Sequence, residues 1–400
     1  MSPRPTDPRI ADSPDLQRLA EEGYALEIFD GHLLVHGVPY VNAARSVERG
    51  VLVSAINFAG EVAIQPETHV AYWIGAHPCD AQGQKLTKIE NASNRLELGA
   101  NLTVDHTFSA KPMMDASGRY ATYYEKVTSY VHRIAGPAQA LDSRASACTG
   151  DVVETRGDAS VFVYTDTATA RAGIGVLTQR LAAERVAIVG LGGTGAYILD
   201  QLAKTSVQEI HLFDHDTFVQ STAFRAPGAA SIDELRERPS KVAYYQKKYS
   251  VMRRGIIPHA YAITPDTVTA LSGMSCIFIS VDRGTARRVV ADFAELQGIP
   301  LIDTGIGMMV SNDALIAQAR VSTVTASHAA AARADLPFGD RDDEADPYRT
   351  NIQTADLNAL NAILAVLRWK RLRGFYHDLC DEPTSIFDVA TNALINRVSV

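Results

Sequence analysis

"RVAIVGLGGTGAYILDQLAKTSVQEIHLFDHD", Arg185 to Asp216, decides how the chain is read. An apolar run is followed by a glycine turn, a helical stretch, a second apolar run and an acid. Gly190, Gly192 and Gly195 make a G-x-G-x-x-G turn between strand and helix. Gly190 permits the tight turn, Gly192 lets backbone approach a phosphate, and Gly195 allows close helix–strand packing. The helix that follows offers free N–H groups and a positive dipole end to an anion. Asp214 ends the second strand, 19 residues after Gly195. An acid there accepts hydrogen bonds from ribose hydroxyls. The stretch therefore predicts a nucleotide pocket.

Downstream, "CIFISVD" and "PLIDTGIGM" are apolar runs of parallel-strand type, separated by helical stretches. This alternation predicts an α/β, doubly wound, Rossmann-like sheet. "ALIAQARV" reads as a further strand. In "NIQTADLNALNAILAVLRWKRLRGFY", Leu357, Leu360, Ile363, Leu364 and Leu367 recur at helical spacing, which predicts a core-facing stripe or a face for a partner. The segment after Asp214 decides which nucleotide is held. It supplies Arg225 in "STAFRAP" and Lys241 in "RPSKVA", and Asp282 ends the strand "CIFISVD". Taken singly, the two cations read as solvated surface charges and Asp282 as a turn or cap. Taken together they suit phosphoryl chemistry: cations neutralise phosphate charge and a carboxylate holds Mg²⁺. A dehydrogenase has no use for that set.

Upstream, "GHLLVHGVPYV", "GVLVSAIN", "THVAYWIG" and "LTVDHTFS" are short strand-like runs between turn residues. "YATYYEKVTSYVHRIAG" reads as a helix ending at Gly136. The expected organisation is a disordered tail over 1–14 and a smaller α+β domain over 15–140. A linker follows over 141–160, and the nucleotide-binding domain covers 161–400. For 400 residues, 46% hydrophobic and 21% charged content is ordinary for a soluble chain. A net charge of −8 argues against nucleic acid as the main partner. Cys79, Cys148, Cys276 and Cys380 form no CxxC pair, which argues against a zinc knuckle and fits a reducing cytoplasm. The first residues lack a signal-peptide core, and no apolar run approaches the ~18–20 residues of a membrane span.

These residues resemble the ThiF/MoeB-type adenylation domains of the ubiquitin-activating enzyme superfamily. "GLGGTG" matches the family's glycine turn, and adds Gly193. "DHDTFVQSTAFRA" matches its acidic segment through Asp214, Asp216, Ser221, Thr222 and Arg225. Lys241 and Asp282 match its later lysine and aspartate. The similarity runs from about 171 to 375. Two positions depart from it: Thr222 and Arg283 stand where the family has asparagine. The resemblance implies ATP and Mg²⁺ as cofactors. Gly190, Gly192, Gly193, Gly195, Asp214, Asp216, Ser221 and Thr222 would hold the nucleotide, and Asp282 the metal. Arg225 and Lys241 would be catalytic, with Arg171 reaching the γ-phosphate. It also implies a homodimer. The N-terminal region resembles a domain of unknown function that precedes ThiF domains in bacterial proteins. Those proteins are associated with ubiquitin-like proteins and conjugating-enzyme-like proteins. The implied activity is adenylation of the C-terminal glycine of a ubiquitin-like protein, with antiphage defence as a setting.

The stretch Ser327 to Thr350, where the ThiF branch carries its acyl-accepting cysteine, has none. The chain then stops at the adenylate, or uses Cys79 in "HPCD" or a hydroxyl such as Ser327 or Thr350. His328 is the histidine beside Ser327. Cys79 also reads as a buried packing cysteine. Two other functions stay open on the residues: a nicotinamide-dependent oxidoreductase, and a non-catalytic pseudo-adenylation subunit that binds a ubiquitin-like protein.

Overall fold

Two separate cores organise the chain in a computed structural model. It describes residues 8–60, 62–99, 101–112, 118–150, 160–164, 166–172, 174–339 and 352–397. One compact unit runs to Gln179 and the other begins at Arg180.

The first unit contains α1 (Pro8–Asp12), α2 (Pro14–Glu21), β1 (Ala25–Phe29), β2 (His32–Val41), β3 (Val47–Ala55), β4 (Phe58–Ala59) and β5 (Val62–Ala63). It continues with β6 (Val70–Ile74), β7 (Glu90–Ala92), β8 (Leu96–Gly99), β9 (Leu102–Val104), β10 (His106–Ser109), α3 (Tyr123–Leu141), α4 (Thr167–Ala172) and α5 (Gly175–Gln179). Six strands form an antiparallel sheet in the order β1-β2-β3-β6-β10-β7. Alternation along them turns Leu33, Val35, Trp73 and Phe108 onto one buried face, where α3 adds Tyr123, Val127, Tyr130 and Ile134.

Three expectations change here. The stretch taken as a tail folds from Pro8 into α1, because Ile10 is buried in the same core as Leu16 and Leu19 of α2. Helix α3 does not end at Gly136. It continues through Pro137 to Leu141, because Ala138 is fully buried beside Val41 and Ala145 and that packing outweighs one missing N–H donor. The first unit also extends past the expected boundary at 161, since α4 and α5 pack on α1 and α2.

The second unit contains β11 (Arg185–Val189), α6 (Gly193–Ala203), β12 (Glu209–Phe213), α7 (Gln220–Ala223), α8 (Ile232–Glu237), α9 (Lys241–Ser250), β13 (Ile256–His259) and β14 (Cys276–Ile279). After these come α10 (Gly284–Gln297), β15 (Leu301–Ser311), β16 (Ala314–Val324), α11 (Ala329–Ala334), α12 (Ala355–Leu372), β17 (Thr384–Asp388) and β18 (Ala393–Arg397). The sheet order is β13-β12-β11-β14-β15-β16-β17-β18. The first five strands are parallel, and the last three continue antiparallel. Strand order therefore reverses between β11 and β14, which is where doubly wound sheets open a ligand crevice. Asn312 and Asp313, both at positive φ, close the β15–β16 hairpin with a two-residue loop. Among the described residues, no helix is long and apolar enough to cross a membrane.

The leucine stripe of α12 is only partly the buried face that its spacing predicts: Leu360 and Leu364 pack, half-buried, against the core. Leu357 is buried, but Ile363 is 42% and Leu367 39% exposed. The hidden face carries Asn358, Asn361, Ala362, Ala365, Arg368 and Trp369. Small residues let α12 approach α6 closely. Several polar ones find partners: Thr194 Oγ1 donates to Asn358 Oδ1 at 2.8 Å, and Asn361 Nδ2 donates to the Gly305 carbonyl at 3.2 Å, while Asn361 Oδ1 and Trp369 Nε1 are buried without a hydrogen-bond partner.

A buried ion cluster braces the strand ends. Arg287 of α10 donates from Nε to Asp303 Oδ1 at 2.7 Å, and Arg320 donates to Asp303 Oδ2 at 2.6 Å. Arg287 also donates to the carbonyls of Val281 and Pro337. Replacing Arg287 by Met should lower stability by roughly 3–5 kcal/mol, since it strips the charge from one side of fully buried Asp303. Urea unfolding would show this as a lower midpoint at unchanged slope.

Candidate functional site

A cavity of about 500 Å³ opens at the carboxyl ends of β11, β12, β14 and β15. The glycine turn forms its floor. Gly190 has φ +93°, and a Cβ there would sit 2.4 Å from the Ser280 carbonyl oxygen. A Cβ on Gly195 would sit 1.9 Å from the Gly190 oxygen, and one on Gly193 would strike Asn358 of α12. These three glycines serve close packing. Gly192 differs: it lines the cavity, and a Cβ there would meet nothing within 4 Å. As the N-cap of α6 it brings no side-chain cap, so the helix's first N–H groups stay available to a ligand.

Asp214, at the end of β12, is 7% exposed. Its Oδ2 accepts from the Leu191 N–H at 2.7 Å and its Oδ1 from the Asp216 N–H at 2.8 Å. The acid thereby ties the glycine turn to the loop after β12. Lys241, at the first position of α9 and 6% exposed, lies between two carboxylates. Its Nζ is 2.6 Å from Asp216 Oδ2 and 3.4 Å from Asp214 Oδ2. Burial pushes the Asp216 carboxyl upward. The hydrogen bond and charge of Lys241, with His215 and Arg283, outweigh this and hold it below the usual carboxylate range. Arg225 follows the α7 turn, its N–H donating to the Thr222 carbonyl at 3.1 Å. Its side chain lines the cavity, and its Nε is buried with no hydrogen-bond partner.

Asp282 and Arg283 lie between β14 and α10, exposed at the cavity. Arg287 grips the Val281 carbonyl from below, so the buried ion cluster also positions this loop. The apolar side of the cavity includes Phe213, Ala262, Ile263 and Val289.

The sequence-predicted Gly190, Gly192, Gly193, Asp214, Asp216, Arg225, Lys241 and Asp282 thus share one cavity. Gly195 stands behind the turn, and Ser221 and Thr222 are not among the lining residues; Thr222 is buried in α7. Arg171 lies in α4 of the first unit, and its side chain falls outside the described residues. Arg287 and Asn358 line the cavity without having been singled out for it, and Arg283, noted as a departure from the family's asparagine, lines it too. The helical texture around them offers no local signal; only the fold brings α10 and α12 to the crevice. Among the described residues, Asp214, His215 and Asp216 bring ligand atoms within 4.8 Å of one another, but Lys241 already occupies Asp216. Asp282 stands outside that group.

The expected acyl acceptors are not arranged for attack. Cys79 is 1% exposed, burial pushes its thiol up, and its Sγ lies 3.4 Å from the His77 carbonyl oxygen. The Ser327 hydroxyl pairs with Thr325 at 3.0 Å, while the His328 ring turns to Asp381 at 2.9 Å. Thr350 lies outside the described residues.

No curated protein matches the chain. Among solved structures, a crystal structure of selenomethionine PaaA is similar at 16% identity and a TM-score of 0.42, covering 56% of this chain and 75% of that one. E. coli MccB crystallised with ATP is similar at 15% identity and a TM-score of 0.45, covering 58% and 69%. MccB in complex with N-formylated MccA gives 15% and 0.45, covering 58% and 70%. A domain of unknown function (DUF6791) matches residues 14–167. The ThiF family model matches residues 166–365, half of the chain. It spans the glycine turn, Lys241 and the Asp282 loop, and this protein belongs to the ThiF family.

Proposed function

We propose that the protein uses ATP to adenylate a carboxylate, and that the carboxylate is the C-terminal glycine of a ubiquitin-like protein. One observation carries the reading. Two cations, Arg225 and Lys241, converge with Asp282 and Arg283 on a cavity floored by an uncapped helix N-terminus. These cations, with a metal ion held by Asp282, suit a triphosphate. The buried, unpartnered Arg225 Nε fits a phosphate oxygen. The apolar wall at Phe213, Ala262 and Ile263 suits a purine face.

In the reaction a carboxylate oxygen attacks the α-phosphorus of ATP. The bond from that phosphorus to the β-bridging oxygen breaks, and pyrophosphate leaves with the electron pair. Gly192, Gly193 and the α6 N–H groups hold phosphate oxygens. Asp214 orients the ribose. Lys241 leaves the grip of Asp216 to meet charge on the triphosphate, and Arg225 balances the leaving pyrophosphate. Asp282 offers a single exposed carboxylate, which fits Mg²⁺ held jointly by protein and phosphate; the ion would neutralise phosphate charge. Positioning and charge do nearly all the work.

The resemblance extends the proposal to a cytoplasmic homodimer that hands its adenylate to a conjugating-enzyme-like partner in a bacterial ubiquitin-like pathway, with antiphage defence as a setting. Burial of Cys79 and the Ser327–Thr325 pairing support hand-over to a separate protein. The test is exchange of labelled pyrophosphate into ATP with a ubiquitin-like partner, followed by a denaturing gel. Partner-dependent exchange without a covalent adduct is expected. Absence of exchange with every glycine-ended partner would refute adenylation. A reductant-sensitive adduct lost in Cys79→Ala would make the N-terminal unit the acyl carrier.

A further inference from the structure

A row of polar side chains runs behind the apolar wall of the cavity. Glu209 and His211 share one face of β12, and His259 ends the neighbouring strand β13. His211 Nε2 lies 3.1 Å from Glu209 Oε2, and Arg185 of β11 donates to the same oxygen at 2.7 Å. At the other edge of the ring, His211 Nδ1 lies 3.1 Å from His259 Nε2. The two rings are 9° from parallel, with centres 5.3 Å apart. They therefore meet edge to edge in nearly one plane, as a ring-to-ring N–H···N bond requires. His259 Nδ1 faces the Tyr261 hydroxyl at 3.4 Å. The row reaches the cavity by stacking. The His259 ring lies against the Phe213 ring, with centres 4.2 Å apart and planes 5° from parallel. Tyr261 meets Phe213 edge-on at 5.9 Å and directly precedes Ala262. Phe213, Ala262 and Ile263 are the cavity's apolar wall.

Only one proton fits between two nitrogens at 3.1 Å. The pair can be neutral, or carry one extra proton on either ring, and the geometry survives both. A second extra proton would set N–H against N–H and place two like charges in contact. The groups that face the pair do not offset that second charge. Burial pushes the Glu209 carboxyl upward, but hydrogen bonds from His211 and Arg185 outweigh this and hold it below its usual range. It remains one carboxylate, shared with Arg185. Tyr261 brings a hydroxyl. The elements in the same core bring apolar side chains: Val268 and Leu271 from the turn after β13, and Val290 and Ala291 from α10. Arg287 of α10 is committed to Asp303. Burial, and then His211, push His259 below the usual histidine range. A second proton therefore enters only when His259 leaves its place on Phe213.

We propose that His259 is a positioning residue for ATP: with His211 it forms a one-proton clamp that braces Phe213, and a second proton releases Phe213 and weakens nucleotide binding. The inference rests on the ATP reading of the cavity. With ATP seated on Phe213, His259 is held in place, so the bound form takes the second proton less readily than the free form. By linkage, affinity falls as pH drops below the ordinary histidine value of about 6.5. Calorimetry on the full chain with ATP and Mg²⁺ runs from about pH 8 to about pH 5.5, a window that brackets that value. Each protein is normalised to its own affinity at the alkaline end. Wild type should lose at least ~5-fold more affinity on acidification than His259→Phe, which keeps a stacking ring and cannot titrate. Comparing the two removes the titration of ATP itself. His259→Gln keeps a donor toward His211 and should match His259→Phe; it serves if the phenylalanine variant fails to fold. Superimposable profiles of wild type and variant would overturn the clamp and leave the ATP reading standing. No ATP binding even at the alkaline end would fell the ATP reading, and the clamp with it.

Discussion

Replacing Lys241 by Met should cut pyrophosphate exchange by at least ~10²-fold, the scale set by removing one preorganised charge from a developing anion. It should also lower the melting temperature. Lys241 is buried and is the cation within reach of both Asp214 and Asp216. Methionine keeps the apolar stem and removes the charge. Buried Asp214 then keeps only its two backbone donors. Breaking one side of a buried pair costs about 3–5 kcal/mol, with the solvent-facing Asp216 softening the loss. The Asp216 carboxyl should also return toward its ordinary range, because Lys241 is the largest of the contributions holding it down. Exchange and melting are measured on the same preparation. Near-wild-type exchange would remove Lys241 from the chemistry, whatever the melting curve shows.

Asp282→Asn separates chemistry from stability. Asp282 is exposed, and neither a buried partner nor core volume depends on its charge. Stability should move by less than about 0.5 kcal/mol. Exchange should fall ~10²-fold or more, since a metal-holding carboxylate is lost at the phosphates. Titrating Mg²⁺ gives the second readout: the variant should need much more of it. Unchanged exchange at every Mg²⁺ level would mean that Asp282 does not carry the metal.

The nucleotide crevice was legible because its parts are local. Strand, glycine turn, helix and acid fall within residues 185–216, and β11, α6 and β12 form there. The short apolar runs between turn residues that predicted the N-terminal strands fall on β2, β3, β6 and β10, of which β6 alternates strictly in burial. What escaped was non-local or ran against pattern. In α12 the leucines mark only the edge of the buried face, because its centre uses alanines and polar side chains whose partners come from distant elements. Helix α3 overrode its Gly136–Pro137 stop through the burial of Ala138. The β17–β18 hairpin, placed beside β16 after a long helix, has no nearby strand to announce it. The Arg287–Asp303–Arg320 cluster joins a helix to two strands, and no spacing rule pairs them. Asp282 reads as a metal ligand from its strand-end position, whereas the acids that the fold clusters are Asp214 and Asp216.

The account rests on the cavity being an ATP site, and binding calorimetry tests this without knowledge of the partner. The full chain is titrated with ATP and Mg²⁺, and in parallel with NAD. ATP should bind, NAD should give no comparable heat, and Arg225→Ala should weaken ATP at least ~10-fold, as expected for a charge-assisted phosphate contact of about 1.4 kcal/mol or more. Tight NAD binding with no heat from ATP would contradict the account and return the glycine turn to an oxidoreductase.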